Sequence, residues 1–199
     1  TPVGAITISS AKDVTTNGGR AASFTQTTGS GTTTLNAAAA FGAGTTTDVM
    51  LTTAGAGVVI TTKSIVVNER VTTGAAAPVT LHANVGGGGL TIAAAGDIFS
   101  GGIVDLTGST GIGTAGDVTT TNDLVTYNSA TTLTGGILIT TQSGGAGAGS
   151  VTFASTLDGA QTLGITAGTG DVLFTGLVGD TTPVGAITIS SAKDVTTNG

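Results

Sequence analysis

Apolar residues alternate with threonine or serine in short runs along the chain: Ile6-Thr7-Ile8-Ser9, Val79-Thr80-Leu81, Leu90-Thr91-Ile92, Val151-Thr152-Phe153 and Ile187-Thr188-Ile189. Successive side chains of a strand point to opposite faces, so this period of two predicts strands. Val58-Val59-Ile60, Ile65-Val66-Val67, Ile137-Leu138-Ile139 and Val172-Leu173-Phe174 do not alternate, but they are β-branched or aromatic enough to be strands too. Inward positions are expected to hold Ile, Leu, Val and an occasional Phe, and outward positions Thr and Ser. Asn17-Gly18, residues 86–89, Gly101-Gly102, Gly135-Gly136 and Gly144-Gly145 lie between the runs, where glycine permits the positive φ of a tight corner. No segment carries a helical stripe. The alanine tract 37–40 comes nearest, and Gly42 and Gly44 close it before it reaches a stable helical length.

The corners recur at a regular interval. Gly96-Asp97-Ile98 is followed twenty residues later by Gly116-Asp117-Val118, and twenty more bring Gly136-Ile137-Leu138; Gly170-Asp171-Val172 has the same form. Short strands and tight corners recurring at about twenty residues predict an all-β fold, a parallel β-helix or β-solenoid with about twenty residues per rung.

A longer period encloses this one: residues 182–199 are identical to residues 1–18, an offset of 181. Residues 1–181 therefore read as one complete repeat unit and 182–199 as the start of the next, so the chain is expected to be a window on a longer tandem array. About nine rungs would fit in one unit, advancing roughly 43 Å at about 4.8 Å per rung. The partners this predicts are preceding and following copies of the same unit, joined end to end, because a cut between rungs exposes strand edges.

Composition fits this geometry. Of 199 residues, 8% are charged, 3% aromatic and 35 are glycine, with no cysteine or tryptophan and a net charge of −6. Stacked rungs place each residue on its equivalent, so like charges would repel while Thr, Val, Ile and Asn stack favourably. Disorder needs low hydrophobicity and high charge, whereas the mean hydropathy is +0.43. Five basic residues give no phosphate-binding patch, so nucleic acid is not expected as a partner. No apolar run is long enough to insert in a membrane. A collagen period is broken by Val58-Val59-Ile60, and without cysteine there is no disulfide framework or thiolate metal site.

Two stretches resemble known repeat proteins. The first runs from Gly89-Leu90-Thr91-Ile92-Ala93-Ala94-Ala95-Gly96-Asp97-Ile98 through Gly101-Gly102-Ile103-Val104-Asp105-Leu106-Thr107 to Gly116-Asp117-Val118, and resembles the repeats of filamentous-haemagglutinin-like surface proteins. The second, Leu157-Asp158-Gly159-Ala160-Gln161-Thr162-Leu163-Gly164-Ile165-Thr166-Ala167-Gly168-Thr169-Gly170-Asp171-Val172, resembles the β-strand repeats of giant bacterial adhesins. The resemblance implies a right-handed parallel β-helix in a secreted, extracellular or cell-surface fibre, stalk or adhesin, with lateral fibre neighbours or cell-surface receptors as further partners. It carries over no catalytic or cofactor residue. A self-assembling extracellular filament, sheath or matrix subunit is the alternative.

Sharper chemistry finds little support residue by residue. Gly-Gly-x-Gly-x-Asp repeats bind calcium, but the stretch 144–151 has Gly149 in the Asp position, and Asp171 comes one position early in Gly168-Thr169-Gly170-Asp171. Asp97 and Asp117, if stacked on adjacent rungs, would repel unless a cation or a lysine lay between them, so Asp97, Asp117 and Asp171 are the candidate metal residues. Sugar-cleaving β-helices need paired carboxylates or Asp with Arg/Lys clusters, whereas Lys12-Asp13 and Glu69-Arg70 read as exposed ion pairs. His82, the sole histidine, reads as an outward residue of its strand, and residues 108–113 lack the following helix of a nucleotide loop. No enzyme activity and no cofactor are expected. Threonine triplets at 32–34, 45–47 and 119–121 suggest ice binding as a minor alternative, yet their spacing is irregular.

Overall fold

The computed structural model describes residues 3–17, 19–36, 51–142, 147 and 149–198, with residues 3, 20 and 51–56 followed by backbone alone. The alanine tract 37–40, the triplet 45–47 and the Gly144-Gly145 corner lie outside the described residues. Every strand ladder is parallel, and the chain winds into a three-faced β-solenoid with no helix among the described residues.

The first face stacks Val71–Ala75, Ile98–Gly101, Val118–Thr120, Ile137–Thr140, Leu163–Thr166 and Ile187–Ser191. The second stacks Val79–Ala83, Val104–Gly108, Val125–Tyr127, Val151–Phe153, Val172–Phe174 and Val195–Thr197. Three longer strands, Val3–Ile8, Gly19–Gln26 and Leu51–Thr62, cross both faces and join them into one fifteen-stranded sheet. The third face is a seven-stranded sheet of Val14–Thr16, Thr32–Leu35, Ser64–Val67, Leu90–Ile92, Ile112–Thr114, Thr131–Leu133 and Leu157–Asp158. All the predicted strand runs are strands in the fold.

The third face corrects the rung length. Its register runs Val14, Thr33, Ile65, Leu90, Ile112, Thr131, Leu157, which is six turns between the first and the last of these, or about 24 residues per turn. The repeat unit 1–181 thus makes between seven and eight turns, fewer than the nine expected. Strands of this face are all two to four residues long while the steps between them vary: the step from Val14 to Thr33 is short, and the next, from Thr33 to Ile65, is far longer. The twenty-residue interval holds for one step of the first face, since Ile98 pairs with Val118. The next step is one residue longer, because Val118 pairs with Ile139, and it sets Asp117 beside Leu138.

The core is a set of axial columns. On the second face one column is valine throughout its centre: Val58, Val79, Val104, Val125, Val151 and Val172, each at most 1% exposed. Beside it run Ile60, Leu81, Leu106, Tyr127, Phe153 and Phe174. Register forces the three rings into a parallel stack, with centroids 4.7 Å apart for Tyr127 and Phe153 and 5.4 Å apart for Phe153 and Phe174. Each buried aliphatic or aromatic side chain is worth about 1.5–3 kcal/mol, and the columns repeat that term rung after rung.

Threonine and serine are not confined to the exterior, contrary to the alternation rule. Gln26, Thr33, Thr62, Thr73, Ser100, Thr114, Thr120, Thr131 and Thr141 are buried. The reason is local. At the corner from the first to the second face, carbonyl groups turn inward and need donors. Thr73 Oγ1 donates to the Ala77 carbonyl at 2.5 Å, Ser100 Oγ to the same carbonyl at 3.1 Å and Thr120 Oγ1 to the Asp123 carbonyl at 2.7 Å; Thr141 Oγ1 donates to Gly149 O. Deeper in, Thr33 Oγ1 donates to Gln26 Oε1 at 2.6 Å. Corners also stack backbone on backbone: a Cβ at Gly170 would run into the Gly149 carbonyl, so this step takes glycine.

Candidate assembly site: the repeat junction and the end rungs

Residues 182–198 repeat residues 1–17, and the structure shows what the repeated segment stacks on: the rung formed by residues 163–174. Leu163 pairs with Ile187, Ile165 with Ile189, Val172 with Val195 and Phe174 with Thr197. Leu163 N donates to Ala186 O at 3.0 Å, Val172 N to Asp194 O at 2.8 Å, and Asn198 N to Phe174 O at 2.9 Å. The valine column crosses the junction unbroken from Val172 to Val195. Beyond it, Ile187 is 39% and Val195 52% exposed. At the opposite end Ile6, Ile8 and Val14 are half-buried against the core. Chemically, such a rung can accept one more parallel strand layer through ladder hydrogen bonds and aliphatic burial.

Charge is handled at the same place. Asp171 and Asp194 occupy equivalent corner positions on successive rungs, since the Val151 and Val172 amides donate to their carbonyls. Lys193 Nζ lies 3.2 Å from Asp194 Oδ2 and 3.9 Å from Asp171 Oδ1. The hydrogen bond to Asp194, then the charge of Asp171, push the Lys193 amine above its ordinary value. The lysine between stacked aspartates expected for Asp97 and Asp117 thus occurs at Asp171, where the second copy supplies it.

Asp97 and Asp117 do stack on adjacent rungs, at the corner entering the first face; Asp171 stands at a different corner, entering the second. Asp97 Oδ1 accepts the Asp117 amide at 2.9 Å, and Asp117 Oδ1 accepts the Leu138 amide at 2.7 Å. Each carboxylate therefore clips the next rung. Asp13 does the same for the Thr32 amide, and Asp158 for Thr181 and Thr182, a role that sequence reasoning missed. Gly-Asp marked Asp97 and Asp117, but Asp13 follows Lys12 and Asp158 follows Leu157, so no shared motif announced the role. No cluster of three or more His, Asp or Glu side chains suited to a metal ion occurs among the described residues.

The remaining candidates resolve into individual contacts. Lys12 and Asp13 lie 4.0 Å apart in the open. Arg70 sits with its guanidinium 4.8 Å above the Phe99 ring. Phe99, Thr119 and Asp123 help line a groove of about 530 Å³ at the corner from the first to the second face. His82 Nε2 is 3.4 Å from Asp105 Oδ2 on the outside of the second face, and Asp105 also accepts Asn128 Nδ2 at 2.5 Å. Inside, Tyr127 is fully buried, and burial raises its phenol pKa well above the ordinary value. A Thr114 interaction lowers it by less, and the Asp117 charge adds to the rise. Neither the Tyr127 nor the Thr114 hydroxyl completes a hydrogen bond of regular geometry.

Among the described residues no helix is long and apolar enough to cross a membrane. No known protein family, curated protein or solved structure matches the chain.

Proposed function

We propose that this chain is a segment of a secreted bacterial surface fibre or giant adhesin, in which tandem units continue one hydrogen-bonded stack and make a stiff spacer. One observation carries the reading: the first strands of a second copy seat on the last rung of the first with both ladders and the valine column continuous. A junction of this kind contains no hinge, so length grows with copy number while bending stiffness is kept. The work of such a segment is reach, and its partners are its own neighbours in the array. The acidic, threonine-covered exterior suits an extracellular rod that must stay soluble at high copy number.

The mass of the intact native polypeptide under fully denaturing conditions tests this. Hundreds of kilodaltons are expected for a covalent array. A mass near one unit would overturn the array and make the matching segments an assembly junction between separate subunits of a filament.

A further inference from the structure

The two copies of the repeated segment do not lie on the same faces. In the first copy, Ile6 and Ile8 pair onto the second face through Phe24 and Gln26, and Val14–Thr16 belongs to the third. In the second copy, the equivalent Ile187 and Ile189 lie on the first face, and Val195–Thr197 on the second. The corner Ser-Ala-Lys-Asp follows suit: in one copy Ala11 bridges Gly29 ahead of the third face, in the other Asp194 O receives Val172 N ahead of the second.

The register turns this into a count. The second-face column runs Ile6, Phe24, Val58, Val79, Val104, Val125, Val151, Val172, Val195, so Val195 is eight turns from Ile6. Ile187, the repeat equivalent of Ile6, precedes Val195 by one face. One unit therefore spans eight turns less one face, or seven and two-thirds turns. The third face agrees: Val14 to Val178 is seven turns, and two further faces lead to Val195, the equivalent of Val14.

We infer that each unit presents the next with a docking rung rotated by one face, so that successive copies add with a one-third-turn phase. The rung formed by residues 163–174 is covered by the start of the next repeat, seated through its strands Ile187–Ser191 and Val195–Thr197. Three units, twenty-three turns in all, return every residue to its starting face, an axial period of about 110 Å at about 4.8 Å per turn. Each surface feature, including the Phe99 groove, is then displayed on all three sides of the rod in rotation. This phase rests on the continuous-stack reading above, but it is measured against the faces and is independent of how the units are joined.

Nitroxide pairs placed on outward residues of the chain test it. Thr15 pairs with Thr34 on the third face, and its repeat equivalent Thr196 pairs with Leu173 on the second. Labels on Thr15→Cys/Thr34→Cys and on Leu173→Cys/Thr196→Cys should both show strong dipolar broadening, each pair standing one strand spacing apart, about 5 Å. A chain whose unit made a whole number of turns would instead set Thr196 on the third face, two rungs from Asp158. Broadening in Asp158→Cys/Thr196→Cys with none in Leu173→Cys/Thr196→Cys would overturn the phase while leaving the stack intact. A native mass near one unit, with both expected pairs broadened, would defeat the covalent array and leave the phase standing. Loss of broadening in every pair, with the β-sheet circular dichroism retained, would overturn the register itself and the phase with it.

Discussion

The same eighteen residues occur at both ends of the chain, and they share an alternation and a corner but sit differently. Each copy makes a strand, an Ala-Lys-Asp corner and a second short strand, yet the first strand opens at Val3 and ends at Ile8 in one copy, while in the other it opens only at Ile187 and runs on through Ser191. In the first copy the first strand crosses from the first face to the second, where Ile6 and Ile8 lie, and the second strand joins the third; in the second copy the two strands join the first and the second. Local sequence thus sets the alternation and the corner, while the rung beneath sets where a strand begins and ends and which face it joins. A solenoid can do this because its faces share one requirement, an inward aliphatic every second residue, and any face that offers such a column accepts the segment.

The comparison can be broken most severely within one column. Leu81→Asp places a carboxylate at a fully buried central position, and in the 199-residue chain Thr197→Asp places one in the same column at a position that no further rung covers. The first should abolish cooperative unfolding by denaturant, an unpaired buried charge costing many kcal/mol, and the second should leave the midpoint unchanged. Ile8→Asp combined with Ile189→Asp strikes the half-buried equivalents in both copies and should fall between them. Phe153→Ala removes the middle ring of the aromatic stack and should cost about 3–5 kcal/mol in the same titration.

Alkaline titration sharpens the contrast between the interior and the ends. Tyr127 is the only tyrosine, and its pKa is raised in the fold above an ordinary value of 10.0. Above pH 10 the unfolded chain loses its phenol proton while the folded chain keeps it, so the contribution of Tyr127 to stability is fully present below that pH and is lost progressively above it. Phenolate absorbance should therefore rise together with loss of the β-sheet signal. Ionisation with the fold intact would show that Tyr127 is reached by water.

Smaller effects follow at the corners. Asp97→Ala strands the Asp117 amide and should cost about 1–2 kcal/mol, while Asp97→Asn retains an acceptor and should restore most of it. Smallest of all, Lys193→Met should lower the melting temperature more at low salt than at high salt, and Lys12→Met should do so less. Lys193 alone reaches an aspartate on the neighbouring rung, whereas Lys12 reaches its chain neighbour Asp13.

Strands and corner glycines were legible because both act through the nearest neighbours in sequence. Gly86 and Gly87, read as corner residues, have φ of 70° and 79°, whereas Gly101, Gly102, Gly135 and Gly136 turn without positive φ and Gly101 closes a strand. The valine column was not legible, since the spacing from Val58 through Val79, Val104, Val125 and Val151 to Val172 is uneven and defeats any fixed period. For the same reason Gly136 looked like the successor of Gly116, when register places Ile137 there. The inward hydroxyls of Thr73, Ser100 and Thr120 were hidden by the alternation rule, which counts positions along a strand and not the carbonyls of the corner that follows. As for the assembly site, the matching ends announced a junction, but nothing in their sequence said which faces would meet.

The ladder hydrogen bonds of this fold run along the rod axis, because each rung bonds to the one above. A pull applied between distant ends of the stack loads them one rung at a time, as a zipper does, and does not shear many together. Each rung that yields frees about 24 residues, roughly 80 Å of slack chain at about 3.4 Å per residue. Such a rod is stiff against bending yet lengthens in small steps under tension, and the rung left behind is again a flat-ended stack on which the freed chain can rewind.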